Sequence, residues 1–442
     1  MSSDLLRSAT VAALGSLLFG FDTAVISGAT EALRGVYGLS AQALGFTVAS
    51  ALVGTILGSI GVGPPAERYG RRPVLRGLAV LYVISALGCG LAWSWTALVA
   101  FRFLGGLAIG GSSVAAPMYI AEIAPAEARG RLVALSQLNI VVGILVAYLS
   151  NSLVELAIGG PETWSWRVML GLPALPAVVF YLLAGSVPES PRWLMKRGRR
   201  AEAEAVLARV GCARPAPLCD EIAESLARET VAADEPFFTR KYRRPILLAL
   251  MIASFNQLSG INALIYYTAD IFAMAGAGRA SALGQSVVIG LTNLVFTVLA
   301  MTVIDRLGRK RLLLIGSAGL AVCLFVAAWA FERRVGGVVV LASLIGYIAC
   351  FAFSQGAVIW VYLAEIFPNR VRARGQALGS FTHWVWAAAV SWTFPMVAEA
   401  SGGLAFAVFG VMMALQIVVV WAFLPETKGE SLEAIQRQLG IE

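Results

Sequence analysis

The stretch Glu67-Arg68-Tyr69-Gly70-Arg71-Arg72 returns 238 positions later as Asp305-Arg306-Leu307-Gly308-Arg309-Lys310, each time between two long apolar runs. Two further echoes keep nearly the same interval. Tyr119, Glu122, Pro125 and Arg129 reappear 243 residues on as Tyr362, Glu365, Pro368 and Arg372. Pro188-Glu189-Ser190 reappears 237 residues on as Pro425-Glu426-Thr427. One acid–Arg–x–Gly–basic–basic turn can arise by chance. Three ordered echoes at one interval mark a duplicated half, and such repetition decides architecture before any local reading does.

Of the 442 residues 58% are hydrophobic and 14% charged, with a mean hydropathy of +0.78. Water-soluble domains carry about 25% charged residues, so this composition excludes one. The apolar residues fall in blocks of about twenty, enough to cross roughly 30 Å of hydrocarbon at 1.5 Å per residue. Twelve spans are expected, near 8–29, 41–62, 74–93, 96–117, 131–150, 167–187, 246–271, 282–304, 312–331, 338–360, 376–398 and 404–424. All are helices, because lipid offers no partner for an unpaired backbone group. The expected fold is therefore an all-α membrane protein of two pseudo-symmetric six-helix halves, 1–187 and 245–424. Between them lies a linker, 188–244, with short helical patterns at 200–210 and 218–229; a tail, 425–442, follows the second half. The first span is long, holds an acid and lacks an Ala-x-Ala exit, so it reads as a retained helix and not a signal peptide.

Basic residues set the expected orientation. Of 34 Lys and Arg, 28 fall in segments on one side and 5 in loops on the other. The positive-inside rule then puts both termini in the cytoplasm, with the chain in the inner (plasma) membrane. The net charge of +8 follows from the same bias and points to anionic headgroups, not to nucleic acid. Cys89, Cys323 and Cys350 lie in spans and Cys212 and Cys219 in the linker, with no spacing that suggests a metal or redox pair. No GxxxxGK[ST] or HExxH motif occurs and there is a single histidine, so no cofactor, no metal and no enzymatic activity are expected.

Three ionisable residues lie deep in spans: Asp22, Arg102 and His383. A charge there normally faces a partner or a water-filled path. Asp22 and Arg102 each sit seven residues from the outer end of their spans, about 10 Å deep, so they can pair. Burial favours the acid form of a carboxyl and a nearby cation favours the carboxylate. A carrier that exchanges those environments moves a proton; a permanent structural ion pair is the other reading of the same two residues.

Span 7 carries Asn256-Gln257-Leu258-Ser259-Gly260-Ile261-Asn262 and then Tyr266-Tyr267. In an unbroken helix Gln257 and Asn262 point about 140° apart. They face one cavity only if the helix breaks at Ser259-Gly260, as carrier helices do at the midplane. Span 10 has a similar interruption at Ser354-Gln355-Gly356, one turn before Trp360. Amides beside aromatic walls suit a neutral, hydroxyl-rich ligand, and interhelical hydrogen bonding is their alternative use. His383, beside Trp384, reads as a ligand contact, an interhelical contact or, since imidazole titrates near neutrality, a pH-sensing group. The repeated turns, with Glu122/Arg129 and Glu365/Arg372, read as an inner-face charge network that locks the halves in one conformation.

Together these motifs resemble the sugar porter family of the major facilitator superfamily, over essentially the whole chain. The matching residues are Phe19-Gly20-Phe21-Asp22, both inner turns, Arg102-Phe103 with its following glycines, PMYIAEIAP (117–125), PESPRWL (188–194), QLSGIN (257–262), WVYLAEIFPNRVR (360–372) and PETKG (425–429). The resemblance implies a secondary transporter that imports a monosaccharide with a proton by alternating access, usually as a monomer. A facilitative uniporter and a non-transporting sugar sensor are its alternatives. It implies a sugar site built from Phe19, Gln137, Asn256, Gln257, Asn262, Asn293, Trp360, His383 and Trp384, an outer gate of Tyr266 and Tyr267, and proton coupling through Asp22 and Arg102. The inner-face network would comprise Glu67, Arg68, Arg71, Glu122, Arg129, Glu189, Asp305, Arg306, Arg309, Glu365, Arg372 and Glu426. The chain departs from the family's pattern at Asn256 and His383, where a Gln and an amide are usual, at Glu67, where Asp is commoner, and at Pro173, where some xylose symporters carry an acid.

Overall fold

The computed structural model describes residues 2–159, 164–232, 236–368, 370–430 and 432–441, and no strand occurs among them. The spanning helices are α1 (Ser3–Val25), α2 (Ala41–Gly61), α3 (Arg71–Gly90), α4 (Trp95–Ile123), α5 (Ala126–Ile158) and α6 (Ser165–Gly171, then Ala174–Ala184). They continue with α7 (Arg243–Leu258, then Ile261–Tyr266), α8 (Arg279–Leu307), α9 (Arg309–Arg333), α10 (Gly337–Phe353, then Gln355–Glu365), α11 (Arg372–Ala400) and α12 (Gly402–Phe423). Eleven spans among the described residues are long and apolar enough to cross a membrane. The twelfth expected span, α11, has 29 residues, but its hydroxyls, its histidine and its tryptophans lower its hydropathy.

Two compact units divide these helices. One comprises Met1–Val25, Ser50–Ala147 and Thr163–Asp234; the other comprises Ile26–Ala49, Tyr148–Glu162 and Glu235–Glu442. The second unit thus holds α7–α12 together with the segment after α1, the start of α2 and the last turns of α5.

In the first unit α2 and α4 touch through their backbones. A Cβ on Gly106 would collide with the carbonyl of Ala51, and one on Gly54 with the carbonyl of Phe103; Gly58 and Gly110 repeat the pattern one turn on. Small residues four apart on both helices permit this approach, which supplies packing where lipid supplies no hydrophobic drive. Gly106→Val is expected to lower stability by about 1–3 kcal/mol, the usual cost of overpacking. A thermal melt of the purified protein followed by size-exclusion recovery checks this. Still in the first unit, Pro191–Lys196, Arg200–Arg209 and Pro215–Ala232 form short helices around Trp193, Leu194, Leu207 and Cys219. The first was not expected from the sequence. Ser190 caps it by accepting from Trp193 N at 3.2 Å, and Pro191 sits where its missing N–H costs nothing.

Candidate functional site

α7 is broken at the expected place. Gly260 takes a left-handed φ of 88° between the two segments, and the Phe409 ring lies where a Cβ would project, so only glycine fits. The corner brings Asn262 back beside Gln257: Asn262 Nδ2 donates to Gln257 Oε1 at 2.8 Å. Gln257 Nε2 donates to Asn256 Oδ1 at 3.0 Å and reaches the ring nitrogens of His383 at 3.1 and 3.3 Å. His383 in turn lies between Trp360 and Trp384, with ring centroids 5.1 and 4.8 Å away. Trp360 is 37% exposed, whereas Asn256, Gln257, Asn262 and His383 are all buried. A partly exposed indole is therefore joined to a set of amides through His383, an arrangement that suits a sugar ring.

A helix break frees backbone carbonyls, and in lipid each needs a partner. The breaks of α7 and α10 supply one another. Asn256 Nδ2 donates to the Gln355 carbonyl at 3.4 Å, and Tyr347 Oη donates to the Ser259 carbonyl at 3.0 Å. Gln355 Nε2 donates to Gln416 Oε1 on α12 at 2.8 Å. Tyr347 and Gln416 were not expected from the sequence, since neither stands near a motif. Asn293, on α8, is buried and its Oδ1 accepts from Thr297 Oγ1 at 3.5 Å. Tyr266 and Tyr267 are both buried; Tyr267 Oη donates to the Ser391 carbonyl at 2.9 Å and its ring stacks on Phe394.

The first unit holds the remaining candidates. Arg102 Nη1 is 3.5 Å from Asp22 Oδ2, with the guanidinium side chain 1% and the carboxyl side chain 13% exposed. Arg102 Nε and Nη2 are buried without a hydrogen-bond partner. This is a loose pair, longer than the 2.7–2.9 Å of a tight charged bond. Phe19 is half-buried on α1, against the unit's apolar core, and Gln137 is half-buried on α5.

The repeated turns build the same cluster twice. Arg71 donates to Glu122 through Nε and Nη2, at 2.9 and 2.8 Å, and to Glu67 at 3.0 Å; Glu189 accepts from the backbone N–H of Arg71, Arg72 and Ser190. Arg309 likewise donates to Glu365 at 2.9 Å, and Glu426 accepts from the N–H of Arg309, Lys310 and Thr427. Gly70 and Gly308, at φ 98° and 89°, let each acid lie against its turn, because a Cβ would strike the carboxylate. Each of these contacts closes within its own unit. Burial alone would raise the Glu67 carboxyl, but the hydrogen bond from Lys196 and the charge of Arg71 outweigh it and hold it below its usual range. Its contribution is therefore present above the ordinary carboxylate pKa and fades on acidification.

Two expected members of the network do otherwise. Arg129 Nε donates to the Ala121 carbonyl at 3.1 Å and Arg372 Nε to the Phe367 carbonyl at 3.4 Å, so they bond backbone and not Glu122 or Glu365. The carbonyls at the end of a helix lack internal partners and attract cations. Arg68 lies over the Tyr69 ring, and Arg306 lends its carbonyl to Lys428 Nζ. The side chain of Asp305 lies outside the described residues.

The second unit also gathers a charged cluster that the sequence did not disclose. Arg279 Nη1 pairs with Glu31 at 2.7 Å, its Nε with Glu155 at 3.0 Å, and its Nη2 donates to the Gly28 carbonyl at 3.2 Å. Arg34 pairs with Glu399 at 2.9 Å, and Tyr148 Oη donates to the Ile265 carbonyl at 2.9 Å. Glu155 escaped notice because α5 runs eight residues past its expected end near 150.

A family model described as sugar (and other) transporter matches residues 8–439. This chain belongs to the sugar transporter family. The sugar transporter is 39% identical to the D-xylose-proton symporter of Escherichia coli (strain K12), over 98% of this chain and 96% of that protein. It is 36% identical to the arabinose-proton symporter of Bacillus subtilis (strain 168), over 96% and 93%. Its structure resembles the partially occluded inward-open conformation of the xylose transporter XylE from E. coli, with a TM-score of 0.88, 37% identity and coverage of 97% of this chain and 100% of that one. The sugar transporter thus has the major facilitator fold of twelve transmembrane helices. It is a multi-pass membrane carrier and not an enzyme.

Proposed function

We propose that this transporter imports a monosaccharide, a pentose or a hexose, together with a proton, by alternating access to one midplane site. The amide cluster at the break of α7 carries the reading: Gln257, Asn262 and Asn256 offer donors and acceptors without charge, joined through His383 to the partly exposed Trp360. Phe19, Gln137, Asn293, His383 and Trp384 complete the sugar site, and Tyr266 and Tyr267 its outer gate. Similarity to proteins named as xylose–proton and arabinose–proton symporters supports both the cargo and the coupling. Asp22 is the coupling carboxyl and Arg102 the cation that holds it. The moving bodies are the halves 1–187 and 245–424, with 188–244 as linker and 425–442 as tail. The two inner-face clusters brace each half, and the contacts of Arg279, Arg34 and Tyr148 latch the outer side. The carrier sits as a monomer in the inner membrane with both termini in the cytoplasm, in contact with lipid and not with nucleic acid.

Adding sugar to energy-depleted cells in weakly buffered medium is expected to alkalinise that medium, because each imported sugar removes a proton from it. Sugar influx without alkalinisation would mean a uniporter. Sugar binding without flux in proteoliposomes would mean a sensor. Competition by glucose, galactose, xylose, fructose and inositol against labelled uptake then ranks the cargo.

A further inference from the structure

A cavity of about 710 Å³ opens in the first unit among residues of α3, α6 and the short helices, lined by Arg72, Arg76, Tyr181, Trp193 and Arg199 among others. Neither the sugar site nor the coupling pair uses it. Arg76 is held against Tyr181: its Cζ lies 4.7 Å from the centroid of the ring, and its Nη2 donates to Tyr181 Oη at 2.9 Å. Its Nε is buried with no partner. Arg72 Nη2 donates to the Gly185 carbonyl, which fixes its guanidinium at the same rim. The two acids nearby are already engaged. Glu189 is taken by three backbone N–H groups, and Glu202 is paired twice with Arg199 at 2.6 Å. Three arginines, Arg72, Arg76 and Arg199, face two carboxylates, Glu189 and Glu202, so the lining is net positive, and among the described residues Arg72 and Arg76 have no carboxylate paired with them.

The other end of the cavity is apolar. Gly77 opens onto empty space, and above it Val80, Ile84 and Leu87 are 41%, 43% and 48% exposed at helical spacing along α3. Two fixed guanidiniums at the membrane surface, followed by an apolar track running into the bilayer, form an amphiphilic site.

We propose that this cavity binds the phosphodiester headgroup of an anionic glycerophospholipid, with an acyl chain lying along the Gly77–Leu87 stripe of α3. Basic pockets between helices at the cytoplasmic surface recognise such headgroups, and planar guanidiniums match a phosphate. The proposal takes from the proposed orientation only the leaflet that supplies the lipid.

The full-length protein is reconstituted in phosphatidylcholine vesicles with or without phosphatidylglycerol, re-extracted, and the lipid retained per protein is counted by native mass spectrometry. Phosphatidylglycerol is expected to be retained in preference to phosphatidylcholine. Arg76→Gln should weaken that retention about fivefold and the Arg72→Gln, Arg76→Gln pair about thirtyfold, the scale of basic residues at an anionic surface. Arg76→Lys, which keeps the charge but loses the planar fork, should fall between the native protein and Arg76→Gln, and the single Arg76→Gln serves as the reading if the double variant fails to fold. Arg333→Gln, at the far end of α9, should change nothing. Retention unaltered in the double variant, equal retention of the two lipids, or displacement by glycerol 3-phosphate alone would each overturn the assignment. Lipid retention needs neither sugar nor a proton gradient, so a failed alkalinisation experiment leaves this result separately readable.

Discussion

Asp22→Asn is expected to reduce concentrative uptake to simple equilibration while leaving sugar counterflow intact. One proton falling through about 100 mV supplies about 2.3 kcal/mol, enough for roughly fiftyfold accumulation, since each 1.4 kcal/mol is tenfold. An amide keeps the shape of the carboxyl and still accepts from Arg102 Nη1, but it takes up no proton. The accumulation ratio should therefore fall from tens to about one, the value with no proton term. Counterflow, which needs only binding and reorientation of the loaded carrier, should persist. The geometry makes this residue the place to look. Arg102 is buried with two of its nitrogens unpaired, and its Nη1 stands 3.5 Å from the Asp22 carboxylate. A structural bridge kept for stability would be short and fully satisfied, because desolvating a guanidinium is repaid only by good geometry. Loss of the carboxylate also removes the charge facing Arg102, so a melt of Asp22→Asn must accompany the transport assay. Concentrative uptake that survives in a stably folded Asp22→Asn protein removes Asp22 from the coupling step.

Much of the architecture was readable because the repeated motifs serve backbone geometry. Gly70 and Gly308 recur since both turns need a positive φ and an open side on which Glu189 or Glu426 can lie. The break in α7 was readable for a similar reason: Ser259-Gly260 is a local signal, and polar residues on both sides of it make sense only if the helix turns there. Apart from the Asp22–Arg102 pair, which matched depth in the spans disclosed, contacts between distant positions left no such trace. Arg129 and Arg372 stand seven residues after an acid, which suggested ion pairs, yet carbonyls at the ends of their neighbouring helices claim them. Arg279 begins α8 with nothing local to mark Glu31 and Glu155 as its partners. Tyr347 serves the Ser259 carbonyl from α10, an assignment that depends on two breaks meeting in space. The sequence also understated α5, whose helix runs on to Ile158. Local strain and spacing are written in the chain, whereas tertiary partnership is not.

Gln257→Ala is expected to raise the sugar concentration for half-maximal counterflow by at least about tenfold, the worth of one or two unmet buried hydrogen bonds at about 1–3 kcal/mol each. Gln257 is the hub of the amide cluster: its Oε1 accepts from Asn262, and its Nε2 serves Asn256 and His383. Truncation removes a donor and an acceptor for sugar hydroxyls and also releases the three side chains it orients. Asn256→Ala should cost less, within about threefold, because its 3.4 Å bond to the Gln355 carbonyl is at the weak end of the range. The order of effects separates a sugar site from interhelical packing. If these amides only hold helices together, the two variants lower melting temperature and leave half-saturation unchanged. If they bind sugar, half-saturation moves most for Gln257, and a saturating sugar raises the melting temperature of the native protein more than that of Gln257→Ala. Quenching of tryptophan fluorescence on adding sugar gives an independent reading, since Trp360 and Trp384 flank His383 within about one ring diameter of the same cluster. A Gln257→Ala protein with native half-saturation would place the sugar elsewhere in the fold.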